Sequence, residues 1–103
     1  MRIFSKKTLV QFYEIHATAE GSLKAWFSEV DQADWQKPGD VIAHFPTANI
    51  ITGKRVVFNI KGNSYRLVAD VEYSKKFVFI VWIGTHADYD KIDVKTIRYG
   101  KGA

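Results

Sequence analysis

The chain has no cysteine, and this absence excludes both a disulfide framework and any thiolate metal site. A cytosolic, reducing compartment is compatible with it. The first residues, Met1-Arg2-Ile3-Phe4-Ser5-Lys6-Lys7, lack the apolar centre of a signal peptide. The longest apolar run, Phe77 to Gly84, has the length of a strand and falls far short of the roughly 18 residues a membrane span requires. Repeats, linkers and low-complexity tracts are missing as well. What remains is 103 residues, 47% hydrophobic and 15% aromatic, a composition suited to one domain, 1–103, around one modest core.

Charge is not evenly spread. Residues 1–53 hold five Lys or Arg against six Asp or Glu, a net of −1, whereas residues 54–103 hold ten against five, a net of +5. The two halves give the +4 of the whole chain. A basic half suggests a surface for a polyanion, most plausibly nucleic acid, although a small domain carries some net charge for solubility alone.

Local patterning predicts an α+β fold. Ser5 reads as an N-cap, and Leu9, Phe12, Tyr13 and His16 follow at helical spacing. A second helix begins at Thr18 with Leu23, Trp26, Phe27 and Val30 on its apolar stripe, and stops before the breaker cluster Lys37-Pro38-Gly39-Asp40. Val41 to Gly53 is irregular, with Phe45 and Ile50-Ile51 expected in the core and His44 in a loop. Alternation then marks a strand at Arg55–Lys61, the turn Gly62-Asn63, a strand at Ser64–Tyr73, the turn Ser74-Lys75-Lys76 and a doubly apolar strand at Phe77–Thr85. Two N-terminal helices should therefore pack on one face of a three- to four-stranded antiparallel sheet, with Arg55–Lys61 at its edge. The other face should present Arg55, Asn59, Lys61 and Arg66 and stay partly open.

The segment Gly84-Thr85-His86-Ala87-Asp88-Tyr89-Asp90-Lys91-Ile92-Asp93 sets a His, a Tyr and several charges directly after the most apolar strand. His86 and Tyr89 stand three apart, so one helical turn would aim both the same way. Imidazole titrates near neutrality and can accept or give a proton, a phenol can donate a hydrogen bond or stack, and Arg and Lys can hold a pentavalent phosphate. Together with Arg66, Lys61 and Asn59 this set could cleave RNA through its own 2′-hydroxyl. More ordinary readings exist for each: His86 in a turn capped by Thr85 or Asp88, Tyr89 as a packing ring, Arg66 paired with Asp70 or Glu72 across the sheet. A calcium loop over Asp88 to Asp93 lacks the sixth-position Gly and twelfth-position Glu.

Two motifs, Asn-x-x-Gly-Asn-x-x-Arg at 59–66 and Thr-His-x-x-Tyr-Asp at 85–90, stand at the separation found in the HigB-type toxins, which the chain resembles over nearly its whole length. These belong to the wider RelE/ParE-like superfamily of toxin–antitoxin systems. The resemblance implies a cytoplasmic, ribosome-dependent mRNA endonuclease that needs no cofactor or metal. A HigA-like helix-turn-helix antitoxin would neutralise it, and operator DNA would be met only through that complex. Carried over, His86, Tyr89 and Arg66 would be catalytic, and Lys54, Arg55, Asn59, Lys61, Lys91, Lys95 and Arg98 would bind RNA. Gyrase-directed members share the fold, and a non-catalytic RNA- or protein-binding module is a further possibility. One departure stands out: many relatives place a basic residue near Val81 and Trp82, and here no Lys or Arg lies between Lys76 and Lys91.

Overall fold

Residues 1–99 are described by the computed structural model. The sequence-based domain extends to 103, and its last four positions lie outside the described residues. Five strands form one mixed sheet in the order β1-β5-β4-β3-β2. Strand β1 (Arg2–Phe4) leads into α1 (Lys6–Ile15), a 3₁₀ turn (Ala17–Ala19), α2 (Glu20–Gln32) and α3 (Pro38–His44). The chain returns through β2 (Asn49–Ile50), β3 (Arg55–Ile60), β4 (Tyr65–Glu72) and β5 (Phe77–Thr85), and ends in the single turn α4 (His86–Tyr89) followed by an irregular segment. Among the described residues no helix is long and apolar enough to cross a membrane.

The α+β class and the antiparallel β3-β4-β5 meander match the sequence reading, while the sheet is wider than expected. Strand β1 pairs parallel to β5, Phe4 opposite Phe79, and β2 pairs antiparallel to β3, so β3 is interior and not an edge. Strands of three and two residues carry almost no alternation to read, and only their partners define them. A third helix is likewise unexpected. Helix α2 already ends at Gln32, and Pro38 occupies the first turn of α3, where its missing N–H costs nothing. His44 therefore closes a helix, where its ring lies near Trp35 and stacks on Phe45. Ile50 lies on the surface, 37% exposed, contrary to its expected place in the core. Ser5 does precede α1, yet in a left-handed conformation (φ 74°) without a side-chain cap bond.

Strand alternation separates two cores. Val56, Phe58, Ile60, Leu67, Ala69, Val71, Val78 and Ile80 face the helices, where Phe58 sits among Trp26, Trp35 and Phe45 with ring centroids 5.3 to 6.1 Å away. On the opposite face Val57, Val68, Val81, Trp82 and Ile97 form a smaller cluster, with Tyr89, Ile92 and Val94 packed against it. That face is thus roofed in its middle by the chain after β5, and is less open than alternation alone suggests. A bulge makes this possible. Val68 pairs with Trp82 and Ala69 with Ile80, which leaves Val81 as the extra residue and lets Val81 and Trp82 both join the small core.

Candidate active site

The roof divides the second sheet face into two ends. At one end Asn59, Arg66 and Gly84 occupy a single row across β3, β4 and β5. Gly84 is required there because a Cβ would stand 2.3 Å from the ring of Trp82. Its absence lets the Trp82 ring lie over the strand, and Tyr89 packs beside it with centroids 6.2 Å apart. Glycine inside a strand signals such a close approach, and this signal was available in the sequence although Trp82 itself was not foreseen as a support.

The turn α4 is fixed by local bonds. Thr85 Oγ1 accepts from the Asp88 N–H at 3.1 Å, the N-cap bond that disfavours other starts. The His86 N–H donates to the Ser64 carbonyl at 3.1 Å, tying the turn to the β3–β4 hairpin. That hairpin carries Lys61 and Gly62 at positive φ, 52° and 63°, and so turns the chain back with Arg66 opposite Asn59. Capping and alternation together bring Arg66 and Tyr89 into contact: the guanidinium carbon lies 5.8 Å from the centre of the phenol ring. Arg66 Nη1 also donates to the Asn63 carbonyl at 3.3 Å, which steadies the group beside the hairpin.

His86, one turn before Tyr89, has its Nε2 3.8 Å from Asp90 Oδ2, and its side chain is 45% exposed. Burial pushes the Tyr89 hydroxyl above its ordinary value of 10, with Asp90 adding to the rise and Arg66 opposing it. The phenol is consequently a donor at neutral pH and not a base. Asn59 donates to the Thr47 carbonyl at 3.3 Å, Lys61 is exposed at the hairpin, and Lys91 approaches Asp88 at 3.9 Å.

The remaining RNA-binding candidates lie elsewhere. Arg55 is a clamp: it grips both carboxylate oxygens of Asp70 at 2.8 and 2.9 Å and donates to the carbonyls of Val94 and Ile97 at 3.1 and 2.6 Å. Its side chain, 12% exposed, holds the roof on the sheet through these internal bonds. Lys54 pairs with Glu72 at 2.5 Å at the far end of β4. Lys95 and Arg98 belong to the roof segment, and Arg98 lies beside Phe79 and Tyr99, away from α4. Asp70 and Glu72, the acids on Arg66's own strand, are already paired with Arg55 and Lys54.

These contacts show a small cationic and aromatic surface with a titratable ring at its rim, built on the two sequence motifs. The HigB toxin profile, described as the RelE-like toxic component of a toxin–antitoxin system, matches residues 19–92. The chain belongs to the HigB toxin family. It is 28% identical over 92 residues to the mRNA interferase toxin HigB of Escherichia coli K12, covering 87% of this chain and 88% of that protein. The mRNA interferase HigB of Escherichia coli O6:H1 is 24% identical over 94 residues, 89% and 91% of the two chains. That of Shigella flexneri is similar at 28% over 92 residues, again 87% and 88%. The HigB profile reaches from the end of the 3₁₀ turn through α4, so it includes both motifs and excludes most of the roof segment. Where many relatives were expected to carry a basic residue, this family member buries Val81 and Trp82 in its small core.

Proposed function

We propose that this HigB-family toxin is a ribosome-dependent mRNA endonuclease that cleaves without metal. The single observation behind the reading is the placement of the Arg66 guanidinium against the Tyr89 ring, one helical turn from the exposed imidazole of His86. In the proposed reaction the neutral His86 ring removes the proton of the ribose 2′-hydroxyl. The freed oxygen attacks the adjacent phosphorus, and the bond to the 5′-oxygen breaks. Arg66 donates to the equatorial oxygens of the phosphorane, where charge accumulates. The protonated Tyr89 phenol supplies the hydrogen bond or proton that the departing 5′-oxygen needs, and its ring offers a stacking surface for a base. Products are a 2′,3′-cyclic phosphate and a 5′-hydroxyl end, so atoms and charge balance without a cofactor.

Asn59, Lys61 and Lys91 are proposed RNA contacts around this centre. A HigA-like helix-turn-helix antitoxin in the cytoplasm is the proposed neutralising partner, with operator DNA reached only through the complex. The names of the relatives, mRNA interferases, support this reading.

The test is to map new 5′-hydroxyl ends of mRNA in a translating extract. Wild type should generate them, and His86→Ala should lower their yield by about 10² to 10⁴, the usual worth of a general base. Equal yields from the two proteins would remove His86 from the mechanism. Salt-sensitive RNA binding without scission would instead mark a binding module, and DNA-damage signalling without new mRNA ends a gyrase-directed toxin.

A further inference from the structure

The other end of the same sheet face holds a second cluster that the cleavage chemistry does not use. Phe4 and Phe79 stack with centroids 4.8 Å apart and planes 16° from parallel, and Phe77 meets both edge-on at 4.9 and 5.9 Å. The Arg2 guanidinium covers Phe4 at 5.3 Å. Phe79 is 37% exposed and Tyr99 62%, large apolar surfaces for a small chain. Phe79, Arg98 and Tyr99 line a cleft of about 390 Å³, floored by Ile80 and Val81 and walled by the Arg55–Asp70 pair.

The charges here are one-sided. Asp70 is neutralised by Arg55 and Glu72 by Lys54, while Arg2 and Arg98 form no ion pair among the described residues. Exposed rings flanked by unpaired guanidinium groups suit a ligand with flat faces and a negative backbone. A purely apolar protein surface would leave those guanidinium groups unused.

We propose that this end is a stacking platform for single-stranded RNA, an accessory subsite that holds the strand beyond the cleavage position. The proposal rests on the reading that RNA is the substrate. Phe79 precedes Gly84 by five residues on β5, about 16 Å of strand, a separation that a few nucleotides can bridge over the roof segment.

The test uses the full chain and a fluorescein-labelled 2′-O-methyl RNA decamer, which lacks the attacking hydroxyl and cannot be cut. Anisotropy should show Tyr99→Ala weakening binding about tenfold, within the range that loss of one base-stacking ring produces. Tyr99→Trp should restore the affinity. Arg98→Ala should reduce the slope of log K against log salt by about 0.7, the contribution of one phosphate contact on a single strand. Both positions are exposed, so circular dichroism should show unchanged folding. Affinity within twofold of wild type in the Tyr99→Ala/Arg98→Ala double variant, with an unchanged salt slope, overturns the platform. So does unchanged oligonucleotide affinity combined with lost co-purification of the antitoxin, which would make the patch a protein interface. These arms are independent of cleavage: a wild type that yields no mRNA ends defeats the nuclease reading, while the decamer measurement still decides the platform.

Discussion

Arg55 and Arg66 sit on the same face of the same sheet, in neighbouring strands, and alternation alone assigns them the same role. Their surroundings separate them. Arg55 has Asp70 opposite it in register and three roof carbonyls within reach, so these contacts are all internal. Arg66 has Asn59 and Gly84 in its row and the Tyr89 ring above it, and keeps donors for a ligand. The nature of the cross-strand neighbour, and not the arginine, decides which cation is held by internal partners and which is left beside Tyr89.

Removing the two side chains should break the protein in different ways. Arg66→Ala is expected to lower cleavage by about 10² to 10³, the typical worth of one transition-state donor, with a Tm close to wild type because the side chain is only half-buried and forms no ion pair among the described residues. Parallel end-mapping and thermal melts check this, and a collapsed Tm would mean that Arg66 is a structural residue after all. Arg55→Ala should show the inverse pattern. It strands the Asp70 carboxylate and the roof carbonyls, at about 3 kcal/mol, which for a domain of this size lowers Tm by more than about 10 °C. Cleavage measured well below that Tm should persist.

A smaller effect sharpens the picture of how Tyr89 is held. Gly84→Ala drives a methyl into the Trp82 ring, and overpacking of this kind costs about 1 to 3 kcal/mol. The displaced indole should move Tyr89 away from Arg66, so cleavage should fall further than the modest loss of stability explains. Trp82→Phe in the Gly84→Ala background should recover part of it.

The smallest effect is alkaline. Burial raises the hydroxyls of Tyr73 and Tyr89 above their ordinary value of 10, with Asp40 adding to the first and Asp90 to the second. A raised folded-state value means stability fully present below pH 10 and lost as pH rises through the higher folded values. Tm should thus be flat to about pH 10 and decline beyond it, and Tyr73→Phe and Tyr89→Phe should each flatten part of the decline. A decline of equal depth in the double variant would assign it to other groups.

Much of this molecule could be read before any coordinates. The two long helices and the three long strands each repeat a period many times, and repetition makes local pattern decisive. The two motifs at 59–66 and 85–90 were legible as well, since their chemistry resides in neighbouring residues. Strands β1 and β2 were not, because two or three residues carry no period. The third helix was hidden because Pro38 reads equally as a stop and as a first helical residue.

Residue order by itself determined the α+β class, the basic second half and the pairing of His86 with Tyr89 on one turn. Only tertiary structure decided which cations lie beside α4. Lys54, Arg55, Lys95 and Arg98 were grouped by charge, yet an ion pair, a buried clamp and the path of the roof separate them from α4. Charge is a property of a residue, whereas the neutralisation of that charge depends on partners 15 to 42 positions away in the chain, and those distances close only when the sheet forms.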